Sequence, residues 1–328
     1  MPSWLLKAAV QGTISVLPAR QRLNALLQQR VTGSLALSDA MFERKLAHCA
    51  HHLERFAAAR DARRPPRRAL ELGTGWYPVV PVGMALCGVG QVVTIDVSSL
   101  LEPRRVAHVL GRYAEAFEAG LLAERLPQLD PERARELRAI ARQASTRTAP
   151  ELLEAVGVRA LVGDARIPRL AAASVELFVS NNTFEHIPPS VLEGILAAFR
   201  RLSTPGAVMD HFIDISDHYA HFDGSISEFN YLRFSPRAWS LFNNSLQYQS
   251  RLRASDYRRL IERAGFAVVA EEAQRGDLAE LERTPLAPAF QRYAREELLV
   301  LRTWLTAVAG PDSTPALPGK SAARPSAR

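Results

Sequence analysis

The stretch from Ala69 to Ser98 constrains the fold more than any other part of this sequence. Its first residues, Ala69–Leu72, form a short apolar run that predicts a strand, and Gly73-Thr74-Gly75 follows this run at once. Two glycines one residue apart allow a sharp turn and a close approach of the backbone to a ligand. An apolar run to about Leu86 predicts a helix, and Val92–Val97 predicts a second buried strand. The stretch therefore indicates a strand, a glycine turn, a helix and a strand, which is a building unit of a parallel α/β sheet.

Two acidic residues flank this turn in a way that indicates the ligand. Asp96 ends the second strand about twenty residues after the glycines, where a carboxylate can accept hydrogen bonds from a ribose. Glu71 stands two residues before the first glycine, and its charge suits a cationic group. The pattern resembles the cofactor-binding segment of class I S-adenosylmethionine (SAM) dependent methyltransferases. This resemblance implies SAM as the cofactor, bound by the residues Glu71, Gly73, Thr74, Gly75 and Asp96.

Two other interpretations of the glycine turn stay open. A nicotinamide-binding Rossmann domain has a third glycine, at a place where this chain has Tyr77 and Pro78. SAM has no pyrophosphate, so it does not need the anion site of a dinucleotide fold. The other interpretation is a strand, turn and helix whose glycines serve only the turn.

The third and fourth predicted strands carry the next candidate residues. Ala160–Val162 predicts the third strand, and the resemblance implies that the Asp164-Ala165 pair after it holds the adenine amino group. The fourth strand, Ser174–Ser180, runs into Asn181, Asn182 and His186, in a stretch similar to that of small-molecule methyltransferases, including ubiquinone-type O-methyltransferases. Ligands of open α/β sheets lie at the carboxyl ends of the strands, so these three residues are expected to face cofactor and substrate. A structural role for His186 within the loop stays open.

The segment from Asp210 to Asp223 has the densest cluster of titratable side chains in the sequence. We expect His218 or His221, oriented by an aspartate, to act as the general base, with His186 as a third catalytic candidate. A metal ion is not expected, because the metal-dependent catechol-type methyltransferases have an acid where this chain has Ser180-Asn181-Asn182. A polar loop whose histidines and aspartates only hold each other is the alternative.

The complete expectation is an α/β fold with a doubly wound, mostly parallel sheet, like that of class I methyltransferases. Residues 1–68 are expected to form an N-terminal helical lid, although plain packing on the sheet edge is an alternative, and residues 69–306 the methyltransferase domain. Residues 101–158 predict a helical insertion of two or three helices. An aromatic segment, 216–254, predicts a substrate-side insertion that is either a pocket wall or a small satellite core. Leu298–Trp304 predicts a last strand or helix, and residues 307–328 a disordered tail.

Composition narrows the remaining classes of function. The formal net charge of +7 comes mostly from arginines spread along the 328 residues, which disfavours a nucleic-acid partner. Cys49 and Cys87 stand in apolar contexts without metal-ligand spacing, which predicts two buried thiols in a reducing compartment and a cytoplasmic location. No apolar run is long enough to span a membrane. The sequence makes no prediction about oligomeric state.

Taken together, these patterns predict a SAM-dependent methyltransferase that acts on a small molecule at a hydroxyl oxygen. Methyl transfer from a sulfonium mainly requires alignment and exclusion of water, and only a hydroxyl acceptor needs a base. Alternative hypotheses are a methyltransferase acting on RNA or protein, a nicotinamide oxidoreductase, and a non-catalytic partner protein with the same fold.

Overall fold

A seven-stranded sheet forms the centre of the protein, in a computed structural model that describes residues 4–15, 37–244, 246 and 248–310. Its strands lie in the order β3-β2-β1-β4-β5-β7-β6, and β7 runs antiparallel to both β5 and β6, while the other neighbouring strands are parallel. Their bounds are β1 Arg68–Leu72, β2 Gln91–Asp96, β3 Val158–Val162, β4 Val175–Asn181, β5 Ser203–Asp214, β6 Phe266–Arg275 and β7 Val300–Ala309. This arrangement confirms the predicted doubly wound, mostly parallel sheet of the class I methyltransferase type.

Helices cover both faces of the sheet because its central strands are apolar on both sides. The burial of β1, β2 and β4 is almost continuous, as expected for parallel strands between two helical layers. The described helices are α1 Trp4–Ser15, α2 Asp39–Arg60, α3 Val79–Leu86, α4 Pro103–Glu118, α5 Leu122–Arg125, α6 Pro131–Arg135, α7 Leu137–Ala141, α8 Ala149–Glu154, α9 Pro189–Leu202, α10 Pro236–Ser240, α11 Ala254–Arg263, α12 Leu278–Glu282 and α13 Arg295–Leu298. Single turns of 3₁₀ helix occupy Arg142–Ser145, Phe184–His186, Asn230–Arg233 and Pro288–Phe290.

Three apolar clusters hold these layers together. The first joins α2, α3 and the insertion after β2 to one face of the sheet, and it includes the free, buried thiols of Cys49 and Cys87. The second packs α9 and α11 on the other face. The third is a satellite core in which Trp4 of α1 contacts the rings of Tyr219 and Phe242. The aromatic segment therefore builds mainly a satellite core.

Several element boundaries differ from the sequence prediction. The insertion between β2 and β3 contains the 16-residue helix α4 and four short helices instead of two or three helices, because Pro127 and Pro131 divide it and Pro131 starts α6. The last predicted element is a strand, and the edge strand β6 reaches Arg275, because β7 pairs with it along most of its length.

The N-terminal lid remains a prediction. Helix α2 starts at the N-cap Ser38, whose hydroxyl accepts a hydrogen bond from Met41 N, and it lies against the first apolar cluster. Residues 16–36 of the predicted lid, and residues 311–328 of the predicted tail, lie outside the described residues. Among the described residues, no helix has the length and apolar character needed to cross a bilayer.

Candidate functional site

The glycine turn after β1 is fixed to the neighbouring strands and open above its second glycine. Gly73 N donates a hydrogen bond to Ile95 O at 2.9 Å, and both Gly73 and Gly75 have positive φ, +81° and +66°. A Cβ on Gly73 would collide with the side chain of Thr183, whereas a Cβ on Gly75 would point into open space. Gly73 is thus required for packing against the exit of β4, and Gly75 leaves room for a ligand.

Asp96 lies beside this open space. Its Oδ2 accepts a hydrogen bond from Gly75 N at 3.1 Å, and its Oδ1 accepts one from Ser98 N at 3.0 Å. Backbone donors therefore orient a half-buried carboxylate at the carboxyl end of β2, and each oxygen keeps a lone pair for a ligand hydroxyl.

Glu71 is buried beneath the turn, and a short chain of hydroxyls reaches it. Thr94 donates to Glu71 Oε2 at 2.9 Å, and the buried Thr74 hydroxyl hydrogen-bonds to Thr94. Burial raises the pKa of Glu71 to about 7, against the opposing effect of the positive charge of Lys45 on α2. Thr74, a predicted cofactor residue, has its side chain directed inward and supports Glu71 through Thr94.

The edge beyond β2 is apolar and exposed. Val97 and Val162 are 82% and 61% exposed, and Val162 pairs with Asp96 in the sheet. Asp164 follows β3 as predicted, but its carboxylate is held by Arg166 through the backbone N and the guanidinium, which lowers its pKa. Ala165 is buried. This edge has an apolar surface that suits a flat ring. The carboxylate of Asp164, paired with Arg166, lies at its border.

The two asparagines after β4 have different surroundings. Asn182 is exposed, with φ +52°, and its N donates to Phe212 O. Asn181 is half-buried, and its Oδ1 lies 2.8 Å from His48 Nδ1 and 3.2 Å from His52 Nε2. Asn181 therefore connects the end of β4 to α2, while Asn182 is free to face a ligand.

Helix α2 brings three histidines that the sequence analysis did not identify. The buried His52 Nδ1 donates to Asp210 Oδ2 at 2.6 Å, and Thr306 donates to Asp210 Oδ1 at 2.7 Å. Burial alone would raise the pKa of Asp210, but these hydrogen bonds and the His52 charge hold it below its usual value. His51 stacks on Trp304 with ring centroids 3.8 Å apart. The sequence signal was available, since His48, His51 and His52 have the i, i+3, i+4 spacing of one helical face.

The three predicted catalytic histidines lie next to one another. The ring centroid of His218 lies 4.9 Å from that of His186 and 5.3 Å from that of His221. Burial, together with the neighbouring histidines, lowers the pKa of His218 to about 3. His221 Nε2 lies 3.7 Å from Asp214 Oδ2 and 3.9 Å from Glu228 Oε1. The structure thus brings together residues from the exit of β4 and from the loop after β5.

A cleft of about 950 Å³ lies between α2 and the carboxyl ends of the strands. It is polar on the α2 side and carries an aromatic wall at Phe212 and Trp304. Of the predicted site residues, Asn181, Asn182 and His221 line it, and Glu71, Gly73, Gly75, Asp96 and Asp164 do not. Its full lining is Met41, Arg44, Lys45, Ala47, His48, His51, Asn181, Asn182, Phe212, Asp214, His221, Gln274, Arg302 and Trp304. A smaller, mostly apolar cavity of about 120 Å³ lies on another side of α2.

The predicted site residues thus form two groups along one edge of the sheet. The first group surrounds the glycine turn at the ends of β1, β2 and β3. The second lies around the histidines after β4 and β5, and the asparagines at the end of β4 border the cleft between α2 and the sheet.

Comparisons with known proteins find likeness in solved structures alone. No family model matches the sequence, and no curated protein matches it. A SAM-dependent methyltransferase from Methanosarcina mazei is 14% identical, with a TM-score of 0.41, over 78% of this chain and 98% of that one.

Two further structures show the range of reactions among the similar proteins. Geranyl diphosphate C-methyltransferase from Streptomyces coelicolor is 12% identical, with a TM-score of 0.43, over 80% of this chain and 78% of that one. The [4+2]-cyclase SpnF is 14% identical, with a TM-score of 0.42, over 82% of this chain and 81% of that one. Because these likenesses are so distant, the reaction of this chain has to be argued from its own site.

Proposed function

We propose that this protein is a SAM-dependent methyltransferase that transfers a methyl group to a hydroxyl oxygen of a small molecule. The observation that carries the proposal is the glycine turn, which is hydrogen-bonded to Asp96 and open above Gly75. The separate cleft of about 950 Å³ supports an acceptor of small-molecule size.

The residues around the turn fit the chemical parts of SAM, whose sulfonium supplies an activated methyl group when the cofactor is bound. Asp96 would accept hydrogen bonds from the ribose hydroxyls. Glu71, when ionised, would attract the methionyl ammonium, and the neighbouring Lys45 would attract the carboxylate. The exposed side chains of Val97 and Val162 would pack against the adenine ring. Asp164 would have to share its oxygens with Arg166 to hold the adenine amino group.

The cleft side supplies a general base. Of the three predicted histidines, His221 is the one that lines the cleft, and Asp214 lies within 3.7 Å of its Nε2. As the acceptor oxygen forms its bond to the methyl carbon, the carbon–sulfur bond breaks and sulfur keeps the electron pair. His221 would take the hydroxyl proton in this step. His186 and His218 stay candidates for roles beside it.

The first experiment is a calorimetric titration of the purified protein with S-adenosylhomocysteine, with NADH as the control ligand. We expect binding of S-adenosylhomocysteine with a Kd of about 1 μM and no binding of NADH. The Asp96→Ala variant should lose at least about tenfold in affinity, because it removes the ribose acceptors. Glu193→Ala, which changes an exposed acid on α9, is the matched control and should bind normally.

Other results would redirect the assignment. Binding of NADH alone would favour an oxidoreductase, and binding of neither ligand would favour a non-catalytic partner protein. Methylation of RNA or of a protein in an acceptor screen would show that the acceptor is a macromolecule and not a small molecule.

The domain division and the compartment complete the proposal. We propose residues 1–68 as a lid over the ligands, because α2 lines the cleft through Lys45, His48 and His51.

The two free, buried thiols support a reducing compartment, and we propose the cytoplasm.

A further inference from the structure

Three side chains from the exit of β4 and the loop after β5 lie close enough together to share one ligand. They are Glu185 and His186, in the 3₁₀ turn Phe184–His186, and His218, in the loop after β5. One ligand atom from each lies within 4.8 Å of the other two. A carboxylate and two imidazoles so close together have the chemistry of a transition-metal site.

Two of these residues each have a buried polar atom without a partner. Among the described residues, Glu185 Oε2 and His218 Nε2 are shielded from solvent and make no hydrogen bond. The Glu185 side chain is fully buried, and its other oxygen accepts a long hydrogen bond from Asp214 N at 3.3 Å. An unmet hydrogen-bonding group in the interior costs about 1–3 kcal/mol. Two such atoms on residues that lie so close together indicate a missing common partner.

The imidazoles are oriented as metal ligands are. His186 Nδ1 donates to the backbone oxygen of Tyr248 at 2.8 Å, which leaves the lone pair on Nε2. The His218 ring is hydrogen-bonded to the Asp214 backbone, and its unpartnered Nε2 is the atom that remains. Hydrogen bonds from the second ring nitrogen to a backbone oxygen typically fix the tautomer of histidines that bind metals.

We propose that Glu185, His186 and His218 bind one divalent first-row transition-metal ion. Imidazole ligands favour ions such as Zn²⁺ and Fe²⁺ over Mg²⁺ and Ca²⁺. Metal–ligand bonds of about 2.1 Å place neighbouring ligand atoms roughly 3.4 Å apart. The ligands therefore have to approach one another by up to about 1.4 Å, which the exposed His186 can supply by a rotation of its side chain.

Three protein ligands leave at least one coordination position open, and the cleft is close to it. The ring of His221 stacks on that of His218 and lines the cleft, as does Asp214. An oxygen ligand in the cleft, such as a hydroxyl or carboxylate, is the class of molecule that this position would accept. Metal binding itself does not depend on methyl transfer, so the two proposals can fail separately.

The test is metal binding by the full-length protein. The protein is stripped with a chelator and titrated separately with Zn²⁺, with Fe²⁺ under anaerobic conditions, and with Mg²⁺, while metal content after dialysis is measured by mass spectrometry. We expect one equivalent of Zn²⁺ or Fe²⁺ and no stoichiometric binding of Mg²⁺. The Co²⁺-loaded protein should show the visible absorption of a site of low coordination number.

Variants then assign the site. His186→Ala changes an exposed side chain and should fold normally, yet it should weaken metal binding at least about tenfold. His108→Ala, which removes an exposed histidine of α4, is the control and should bind as the wild type does. Glu185→Gln should also lose the metal. No stoichiometric transition metal in the wild type, or unchanged binding in His186→Ala, would overturn the proposal.

Discussion

Glu71 combines a buried carboxyl group with a nearby ammonium group. Burial favours its neutral form, while Lys45 and the Thr94 hydroxyl favour the anion, and the balance leaves its pKa at about 7. A cationic ligand placed next to Glu71 would shift this balance towards the anion. The protonation state of one residue should therefore control the affinity of the proposed cofactor site.

The affinity for S-adenosylhomocysteine should rise with pH through neutrality. Below the pKa of Glu71, about 7, binding of the ammonium requires loss of a proton, so affinity should fall by up to about tenfold per pH unit. Calorimetry between about pH 5.5 and about pH 8.5 measures this slope. Glu71→Gln should bind weakly and independently of pH, and an equal slope in this variant would contradict the assignment.

The proton on Glu71 affects folding stability with the opposite dependence on pH: stability falls as the pH rises. The folded pKa of about 7 lies above the unfolded value of about 4.3, so the folded state holds a proton that the unfolded state has released. The contribution of Glu71 to stability is therefore fully present below about pH 4.3 and is lost as the pH rises through about 7.

The residues that could be predicted from the sequence are those whose chemistry is local. Gly73, Gly75 and Asp96 lie within one strand–turn–strand unit, so their spacing alone indicates their association. His52 and Asp210 meet only because α2 lies across the end of β5, which no short pattern records. The pairing of Asp164 with Arg166 was equally invisible, since it depends on a side-chain conformation.

Helix α2 is attached to the sheet by a buried polar contact as well as by apolar packing. Phe42, Leu46 and Phe56 are buried in the first cluster, while His52 reaches Asp210 on β5. Both partners of the His52–Asp210 pair have fully buried side chains. This contact joins α2 to β5, and both elements line the cleft.

Removing one partner of that contact should destabilise the protein strongly. His52→Ala leaves the buried Asp210 carboxylate with the Thr306 hydroxyl but without its imidazole partner, so the free energy of unfolding should fall by about 3–5 kcal/mol. Equilibrium unfolding in urea measures the change. His51→Ala, on the same helix face but half-exposed, should cost only about 1 kcal/mol. Equal losses of unfolding free energy in the two variants would show that the buried His52–Asp210 pair does not stabilise the protein more than His51 does.

At the level of elements, the strands were more predictable than the helices. The core strands appear as short apolar runs ended by glycine or acid, and their order follows from the alternation with helices. The short helices of the insertion, such as α6 and α7, contain only a turn or so each. They are stabilised by packing on α4, and the sequence alone gives little periodicity for such short pieces.

The positive net charge of the whole molecule is spread over a surface where arginines are paired. Arg64 binds Glu176, Arg112 binds Asp39, and Arg138 binds Glu118. Among the described residues, many of the positive charges are thus matched locally by acids. Arginines that are paired in this way are less available for contacts with nucleic-acid phosphates.

RNA binding should accordingly be weak and only slightly dependent on salt. We expect single-stranded and double-stranded RNA to be largely dissociated from the protein once the salt concentration reaches about 0.15 M. The salt slope should be small, because few counterions are displaced on binding. Fluorescence anisotropy across a salt series measures the slope. A steep loss of tight binding with salt would instead favour a nucleic-acid acceptor.

The register of the central strands has a consequence for how the chain is made. Ala69 on β1 pairs with Leu177 on β4, so β1 cannot complete its pairing until the whole insertion and β3 have been synthesised. At about 5–20 residues per second, that interval lasts roughly 5–20 s on the ribosome. During this interval the edge of an apolar strand has no neighbouring strand to pair with. Nascent chains are most prone to aggregate in this condition.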